Sequence, residues 1–344
     1  MGRKATVYDV AERAGVSIAT VSFAFTKPGR VKRETVEAVM AAADELGYVP
    51  SASARGLARG RTGAIGIYSF DYLLDEGDET LMSRAGRLFP LYADEVQRGV
   101  QVECHRRGYA LMLGGTRTDS HDSRVIEVAG RVDGLIAFAG AVTLQALKQV
   151  SSRIPVVELG GAVRAKGVHT VFVDNGSGMA ALTRHLLADH DYRTFAYFGE
   201  LGTPEFRQRF ERFSAELDAA GLVAPQPTPT HPGVDASADA AVEELTIRGT
   251  LPDVIVCDTD QTALATMEAL QRRGIAVPEG VAVTGFDGIL AAQLSHPALT
   301  TVIQPMEAVG RQAVSLIADV LDGVDPRGAP TLECTLSIAR SCGC

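Results

Sequence analysis

No apolar run in this chain approaches the roughly 20 residues that cross a bilayer, and the opening MGRKATVYDV lacks the apolar stretch of a secretory leader. A cytoplasmic protein without membrane contact is therefore expected. Cysteine is scarce: five residues, Cys104, Cys257, Cys334, Cys342 and Cys344, are an odd and scattered set that describes no disulfide framework. Reduced thiols are expected. The Cys-Gly-Cys at 342–344 could bind a metal or form a redox pair, but no His stands near it in sequence, so it is assigned no role and no metal or cofactor is expected. Catalytic signatures are also missing. The chain has no Gly-x-Ser-x-Gly elbow, Gly-x-Gly-x-x-Gly fingerprint, P-loop or His-Glu-x-x-His, and Ser177 in NGSG lacks the elbow pattern, so no enzyme is expected.

What is present is an ordinary globular composition, 46% hydrophobic and 22% charged, over 344 residues. That length implies two or three domains with a large core. Net charge is −9, which alone argues against nucleic acid, but its distribution reverses the argument. Residues 1–61 hold ten Lys or Arg against six Asp or Glu, a net of +4, so residues 62–344 carry −13. A small basic head on an acidic body suits phosphate binding by one module.

The segment TVYDVAERAGVSIATVSFAF, residues 6–25, carries the strongest pattern. Thr6 can cap a helix whose Val7, Val10, Ala11 and Ala14 form one apolar stripe, and Gly15 ends it in a turn plugged by Val16. Ser17 can cap a second helix running to about Phe25. Its Val21, Ala24 and Phe25 face the first helix, leaving Ser17, Ile18, Ala19, Ser22 and Phe23 outward. A third helix, roughly 32–46, is expected to turn Val36, Val39, Met40, Ala43 and Leu46 inward and to stop at Gly47. A small three-helix bundle that binds a protein or nothing is the bland alternative, and the outward Ile18 and Phe23 give it some weight. The basic excess and the turn chemistry favour DNA.

The runs VYDVAERAGVSIATVS and RVKRETVEAVMAAADELGYVPSASARGLARGRTGAIGI resemble the lactose-repressor/galactose-repressor (LacI/GalR) family of bacterial regulators. The resemblance spans the whole head and implies roles by position. Ile18, Ala19 and Phe23 would face bases, and Thr6, Tyr8, Ser17, Thr20, Ser22 and Thr35 would cap helices or anchor the DNA backbone. Family members usually carry Arg or another polar residue where Phe23 stands, so readout here would lean on thymine methyl groups. Lys32 replaces the Ser that usually caps the third helix. Residues 51–60, SASARGLARG, would become a hinge helix only on operator binding. Leu57 would be its minor-groove wedge, with Ala54 beside it and Arg55 near phosphates.

From residue 62 onward short apolar strands alternate with amphipathic helices, a doubly wound α/β pattern in two repeated halves. The strands expected are Ala64–Tyr68, Ala110–Leu113, Gly134–Phe138, Val156–Leu159, Thr194–Phe198, Val254–Cys257 and Val281–Gly285. The resemblance implies the two-lobed periplasmic-binding-protein-like fold, with chain crossovers near 188–193, 302–306 and 329–332. The expected division is therefore a DNA-binding head over 1–50, a hinge over 51–61 and an effector and dimerisation domain over 62–344.

Polar residues past strand ends give the expected ligand contacts: Ser69, Phe70, Asp174 with Asn175, Thr259, Asp260 and Asp287. Arg209, in FRQRFERF, matches the family's Arg-x-x-Gly-Phe effector contact except that Arg212 stands in place of the Gly. An Arg beside carboxylates suits a hydroxyl-rich or anionic ligand, and a sugar or sugar derivative is the expected class. Residues 70–92 look like an insertion of roughly a dozen residues bordering the cleft.

The expected function is thus a DNA-binding regulator, a repressor acting as a homodimer on a pseudo-palindromic operator and controlled by a small-molecule effector. With no heptad tail after TLECTLSIARSCGC, a tetramer is disfavoured. A sugar-binding protein or an α/β enzyme without specific DNA binding stays as the alternative.

Overall fold

Thr6 opens the first helix through a reciprocal cap: Asp9 N–H donates to Thr6 Oγ1 at 3.4 Å, and Asp9 Oδ2 accepts from Thr6 N at 2.7 Å. That helix, α1 (Val7–Ala14), ends at Gly15, whose φ of 65° is the left-handed conformation glycine tolerates. Ser17 Oγ accepts from Thr20 N at 3.1 Å to start α2 (Ile18–Thr26). A 3-10 turn over Pro28–Arg30 then leads to α3 (Arg33–Leu46). Val10, Ala11, Val21, Ala24, Val39, Ala42 and Ala43 form the head's core, with Phe25 set edge-on to Tyr48. One expectation is corrected here. Met40 is 40% exposed and Ala42 is buried in its stead, because α3 centres its inner face on Val39 and Ala43.

The computed structural model describes residues 5–50, 60–70, 91–116, 121–161, 165–231, 235–249, 251–326 and 330–344. It divides into two compact units, residues 1–62 and 63–344. The hinge residues Ala54, Arg55 and Leu57, and nearly all of the expected insertion over 70–92, lie outside the described residues. Among the described residues no helix is long and apolar enough to cross a membrane.

The larger unit has two lobes. In the first, β1 (Ala64–Phe70), β2 (Ala110–Thr116), β3 (Gly134–Phe138), β4 (Val156–Leu159) and β5 (Val168–Val171) form a parallel sheet in the order β2-β1-β3-β4-β5. Helices α4 (Tyr92–Arg107), α5 (His121–Ala129) and α6 (Leu144–Ser151) connect these strands. All five residues of β3 are buried, as a strand covered on both faces requires.

The second lobe follows β6 (Val173–Asp174) and contains α7 (Asn175–Ala188), β7 (Phe195–Phe198), α8 (Pro204–Ala219), β8 (Pro227–Thr228), α9 (Asp235–Ile247), β9 (Val254–Cys257), α10 (Asp260–Arg272), β10 (Ala282–Asp287), α11 (Leu290–Leu294) and β11 (Thr300–Ile303). The chain then returns to the first lobe as α12 (Met306–Leu321), whose Val309, Ala313, Val314 and Ile317 join that lobe's core. It ends in the second lobe through β12 (Leu332–Glu333) and β13 (Thr335–Ser337). The second sheet has the order β13-β11-β10-β9-β7-β8, with only β13 antiparallel. Alternation divides its side chains between two cores: Ala196, Phe198, Ile255 and Cys257 point one way, and Tyr197, Val254 and Val256 the other.

Three crossovers join the lobes, and the first differs from expectation. It lies at β6, which pairs with β12, and not at 188–193. By residue 188 the chain has already entered the second lobe, because Met179, Leu182 and Leu186 of α7 pack with Tyr197, Phe213 and Leu217 there. The apolar face of α7 therefore fixes the crossing before the helix. The other two crossovers run from β11 into α12 and from α12 to β12.

Candidate DNA-reading head and effector cavity

On the head, Tyr8 is 67% exposed, Ile18 41% and Phe23 42%, and Ser17, Ala19 and Ser22 are exposed beside them. The capping bonds explain this face. Ser17 fixes the start of α2, so Ile18, Ala19, Ser22 and Phe23 share one side while Val21 and Ala24 are buried on the other. Thr20 and Thr35 are half-buried, and the Thr20 hydroxyl lies 2.9 Å from that of Ser17. Lys32 precedes α3 without a side-chain capping bond, and Lys27, Arg30 and Lys32 are all exposed around that helix start.

In the larger unit a cavity of about 760 Å³ lies at the carboxyl ends of both sheets. Ser69 lines it within the last two residues of β1, Phe138 at the end of β3 and Gly140 past it, Glu200 and Thr203 past β7, Thr259 past β9, Asp287 at the end of β10 and Gln304 past β11. This is where an open α/β sheet presents its loops.

Arg209, on α8, is the largest fully buried side chain, with 2% of its surface exposed. Its Nε donates to Asn175 Oδ1 at 3.0 Å and its Nη1 donates to the Asp258 carbonyl at 2.5 Å. The guanidinium carbon sits over two aromatic rings, 3.9 Å from the centroid of Phe286 and 5.3 Å from that of Phe206, so both ring faces attract the cation. Burial works against this charge, but Asp287, Glu205 and Asp258 more than offset it and hold Arg209 firmly ionised. Burial raises the carboxyls of Glu205 and Asp287, and Arg209 opposes both shifts. The Tyr92 phenol is also raised by burial, and its ring packs edge-on to Phe138 at 6.3 Å. At the rim, Glu200 Oε1 meets His231 Nδ1 at 2.5 Å.

Of the expected ligand contacts, Ser69, Arg209, Thr259 and Asp287 line this one cavity. The side chain of Phe70 lies outside the described residues. Two others stand off the wall. Asp174 is the N-cap of α7, its Oδ1 accepting from Ser177 N at 2.9 Å. Asp260 is wholly buried and clamps the β10 loop: Oδ2 accepts from Gly288 N at 2.7 Å and Ile289 N at 2.9 Å, and Oδ1 accepts from Thr301 Oγ1 at 2.5 Å. Asp260 thus positions the loop that carries Asp287.

Residues 6–51 match the model of the bacterial regulatory proteins of the lacI family, and residues 183–342 match the periplasmic binding protein-like domain. The HTH-type transcriptional repressor PurR of Haemophilus influenzae (strain PittEE) is 32% identical over 324 residues, covering 92% of this chain and 90% of the relative. The chain belongs to the lacI family. PurR of Vibrio parahaemolyticus serotype O3:K6 (strain RIMD 2210633) is likewise 32% identical, over 326 residues, with 92% and 91% covered. Among solved structures, the lac repressor dimer bound to operator and the anti-inducer ONPF shares the fold, with a TM-score of 0.80, 22% identity and 99% of each chain covered. The transcriptional regulator CelR–cellobiose complex superposes with a TM-score of 0.68 at 27% identity, covering 98% of this chain and 99% of that one.

This lacI-family member is accordingly a DNA-binding transcriptional regulator with a small-molecule effector domain, and its relatives are repressors and not enzymes. The regulator's cavity also holds residues that sequence reasoning missed: Tyr92, Thr203, Glu205, Phe206 and Gln304. The signal for Thr203 and Glu205 was available, since TPEF follows the apolar strand FAYF and Thr203 Oγ1 accepts from Phe206 N as a helix cap at 3.3 Å. Gln304 follows a strand that its sequence, TTVI, advertises weakly.

Proposed function

We propose that this regulator is a cytoplasmic repressor, a homodimer that binds a pseudo-palindromic operator and whose affinity is set by a sugar-like effector in the cavity around Arg209. The observation that carries this reading is the wall chemistry. Arg209, Asp287, Glu205 and Gln304 converge on one 760 Å³ space that Tyr92, Phe138 and Phe206 also line. Carboxylates and amides accept from and donate to hydroxyls, and the aromatic rings cover the apolar face of a pyranose. Nε and Nη1 of Arg209 hold protein groups, so Nη2 is the nitrogen through which a ligand oxygen would be held. The CelR relative was solved with cellobiose, which supports the same class.

In the head, Ile18, Ala19 and Phe23 read bases while Thr6, Tyr8, Ser17, Thr20, Ser22 and Thr35 position the helices on the DNA backbone. Residues 1–50 form the DNA-binding domain, 51–61 the hinge and 62–344 the effector and dimerisation domain. Effector binding shifts the two lobes and favours or disfavours folding of the hinge, where Leu57 wedges a central base step with Ala54 and Arg55 beside it. A coupling of about 1–3 kcal/mol changes operator affinity roughly 5- to 150-fold.

The test has two stages. Duplexes are selected from a random pool at fixed salt with wild type and Leu57→Ala, and operator affinity is then measured with mono- and disaccharides titrated in. A palindrome that Leu57→Ala reads poorly, together with a sugar that moves wild-type affinity at least 5-fold, supports the reading. Sequence-blind binding, or an affinity that no sugar moves, overturns it.

A further inference from the structure

The Cys-Gly-Cys that the sequence leaves without a role does not stand alone in the fold. The short 3-10 turn Arg340–Cys342 packs beside the C-terminal end of α7, and there His185 and His190 meet Cys342 and Cys344. One ligand atom from each of the four lies within 4.8 Å of every other. His185 Nε2 is 3.3 Å from His190 Nε2, 3.5 Å from Cys342 Sγ and 3.7 Å from Cys344 Sγ, and Cys344 Sγ is 3.2 Å from His190 Nε2. A tetrahedral ion with metal–N near 2.05 Å and metal–S near 2.3 Å has ligand–ligand edges of about 3.3–3.8 Å. The four separations fall on or close to those edges.

We propose that His185, His190, Cys342 and Cys344 form a structural zinc site that ties the last residues of the chain to the end of α7. The donor set, two imidazoles and two thiolates, is the one that a borderline-soft d¹⁰ ion takes in closed four-coordinate sites. Surrounding groups orient the ligands as such a site needs. His185 Nδ1 lies 2.7 Å from Asp189 Oδ2, so Nδ1–H donates to the carboxylate and the unprotonated Nε2 is left facing the sulfurs. His190 stacks on Tyr192 at a centroid distance of 5.1 Å, and the Tyr192 hydroxyl donates to the Cys342 carbonyl at 2.7 Å, which fixes the turn. Gly343 adopts a φ of 101°, and a Cβ there would lie 3.2 Å from the Tyr192 hydroxyl, so only glycine lets the two thiols face the same point.

Position argues for a structural role. The cluster lies at the end of the second sheet where β7 and β11 begin, whereas the effector cavity lies past the strands' carboxyl ends. Cys342 is buried and His185 nearly so, while Cys344 is exposed and offers the ion an entry path. Binding releases the two thiol protons, and neither sulfur changes oxidation state.

The experiment uses the full chain, reduced and stripped by chelator, with Co²⁺ as a spectroscopic probe followed by competition with Zn²⁺. One Co²⁺ per chain is expected, with the visible bands of a tetrahedral ion and thiolate-to-metal charge transfer, and Zn²⁺ should displace it. Cys344→Ser and His190→Gln change the two more accessible ligands and leave Cys342 and His185 in place, so the lobe can be checked for folding by circular dichroism. Each is expected to weaken Zn²⁺ at least 100-fold. Asp189→Asn is expected to weaken it about 10- to 100-fold with the tetrahedral spectrum retained. Chelation should lower the unfolding midpoint of wild type and leave that of Cys344→Ser unmoved. Octahedral Co²⁺ without charge transfer, Zn²⁺ binding unchanged in a folded Cys344→Ser, or reduced protein that binds neither ion overturns the proposal.

Discussion

Nη1 of Arg209 lies 3.6 Å from Oδ1 of Asp287, and the two side chains are only 2% and 5% exposed. This pair links α8 to the end of β10, two elements of the second lobe that both contribute residues to the cavity wall. Gln304 Nε2 donates to the same Asp287 oxygen at 2.7 Å, so a crossover residue joins the network. Because burial holds the Asp287 carboxyl above its usual range, its charge costs the fold more than that of Arg209, which three carboxylates support.

That asymmetry separates two substitutions. Arg209→Met removes the common partner of Asp287, Glu205 and Asp258 and is expected to destabilise the larger unit by about 3–5 kcal/mol, measured by denaturant unfolding. Asp287→Asn keeps the shape and discards the less supported charge. It is expected to unfold within about 1 kcal/mol of wild type while losing at least 10-fold in effector affinity.

Phe23 stands on the outward face of α2 where a base-reading side chain is expected, and it has no hydrogen-bonding group. Phe23→Ala is expected to reduce discrimination against a mismatched operator by about 1–3 kcal/mol. The slope of affinity with salt should not change, since no phosphate contact is removed. A mutant that alters the slope and keeps its sequence preference would place Phe23 off the bases.

Asp258 is buried and its carboxyl is pushed up to about 6, burial being the main cause and the Glu200 N–H bond and Arg209 opposing it. Asp260 is likewise raised to about 6 by burial, against bonds from Thr301, Ile289 and Gly288. A carboxyl whose folded value exceeds its unfolded value, about 3.9, binds more protons folded than unfolded between those two points. Stability from these groups therefore rises as pH falls from above 6 toward 4 and is lost as pH climbs back. Unfolding free energy measured across that window should decline with pH in wild type and decline less steeply in Asp258→Asn.

Gly99 of α4 and Gly310 of α12 let these helices approach backbone to backbone. A Cβ at Gly310 would stand 2.1 Å from the Val96 carbonyl oxygen, and one at Gly99 would stand 2.1 Å from that of Glu307. Alanine improves helix propensity by about 1 kcal/mol, yet the atom it would strike is backbone and cannot swing aside. Gly310→Ala is expected to lower stability by about 1–3 kcal/mol net, seen as a drop in the unfolding midpoint.

Local chemistry explains which parts were legible in the sequence. Thr6, Gly15, Ser17 and Gly47 act within one helical turn, so the head's three helices and their outward residues follow from spacing alone. Met40 did not, because which side of α3 faces inward depends on two partner helices and not on its own periodicity. In the body, the strand-end rule reaches Ser69, Thr259 and Asp287, whose strands, AIGIYSF, VIVC and AVTGFD, are mostly apolar. It misses Gln304, whose strand is half threonine, and it cannot tell that Asp260 points back into the β10 loop. The first crossover was misplaced because a loop between a helix and a strand looks alike on either side of a lobe boundary. His185 and Cys342 are 157 residues apart in the chain, a distance over which only the fold can bring ligands together.

Asp287 holds a φ of 127°, a conformation that side-chain-bearing residues rarely take, and it is kept there by Asp260 gripping the two residues that follow. The carboxylate facing the cavity is consequently rigid before any ligand arrives. An effector need not freeze a swinging side chain, so little affinity is lost to ordering and selectivity falls on whether its own hydroxyls match fixed positions. The same rigidity makes the loop a lever: a ligand that pulls on Asp287 pulls on Gly288, Ile289 and, through Asp260, on the start of α10.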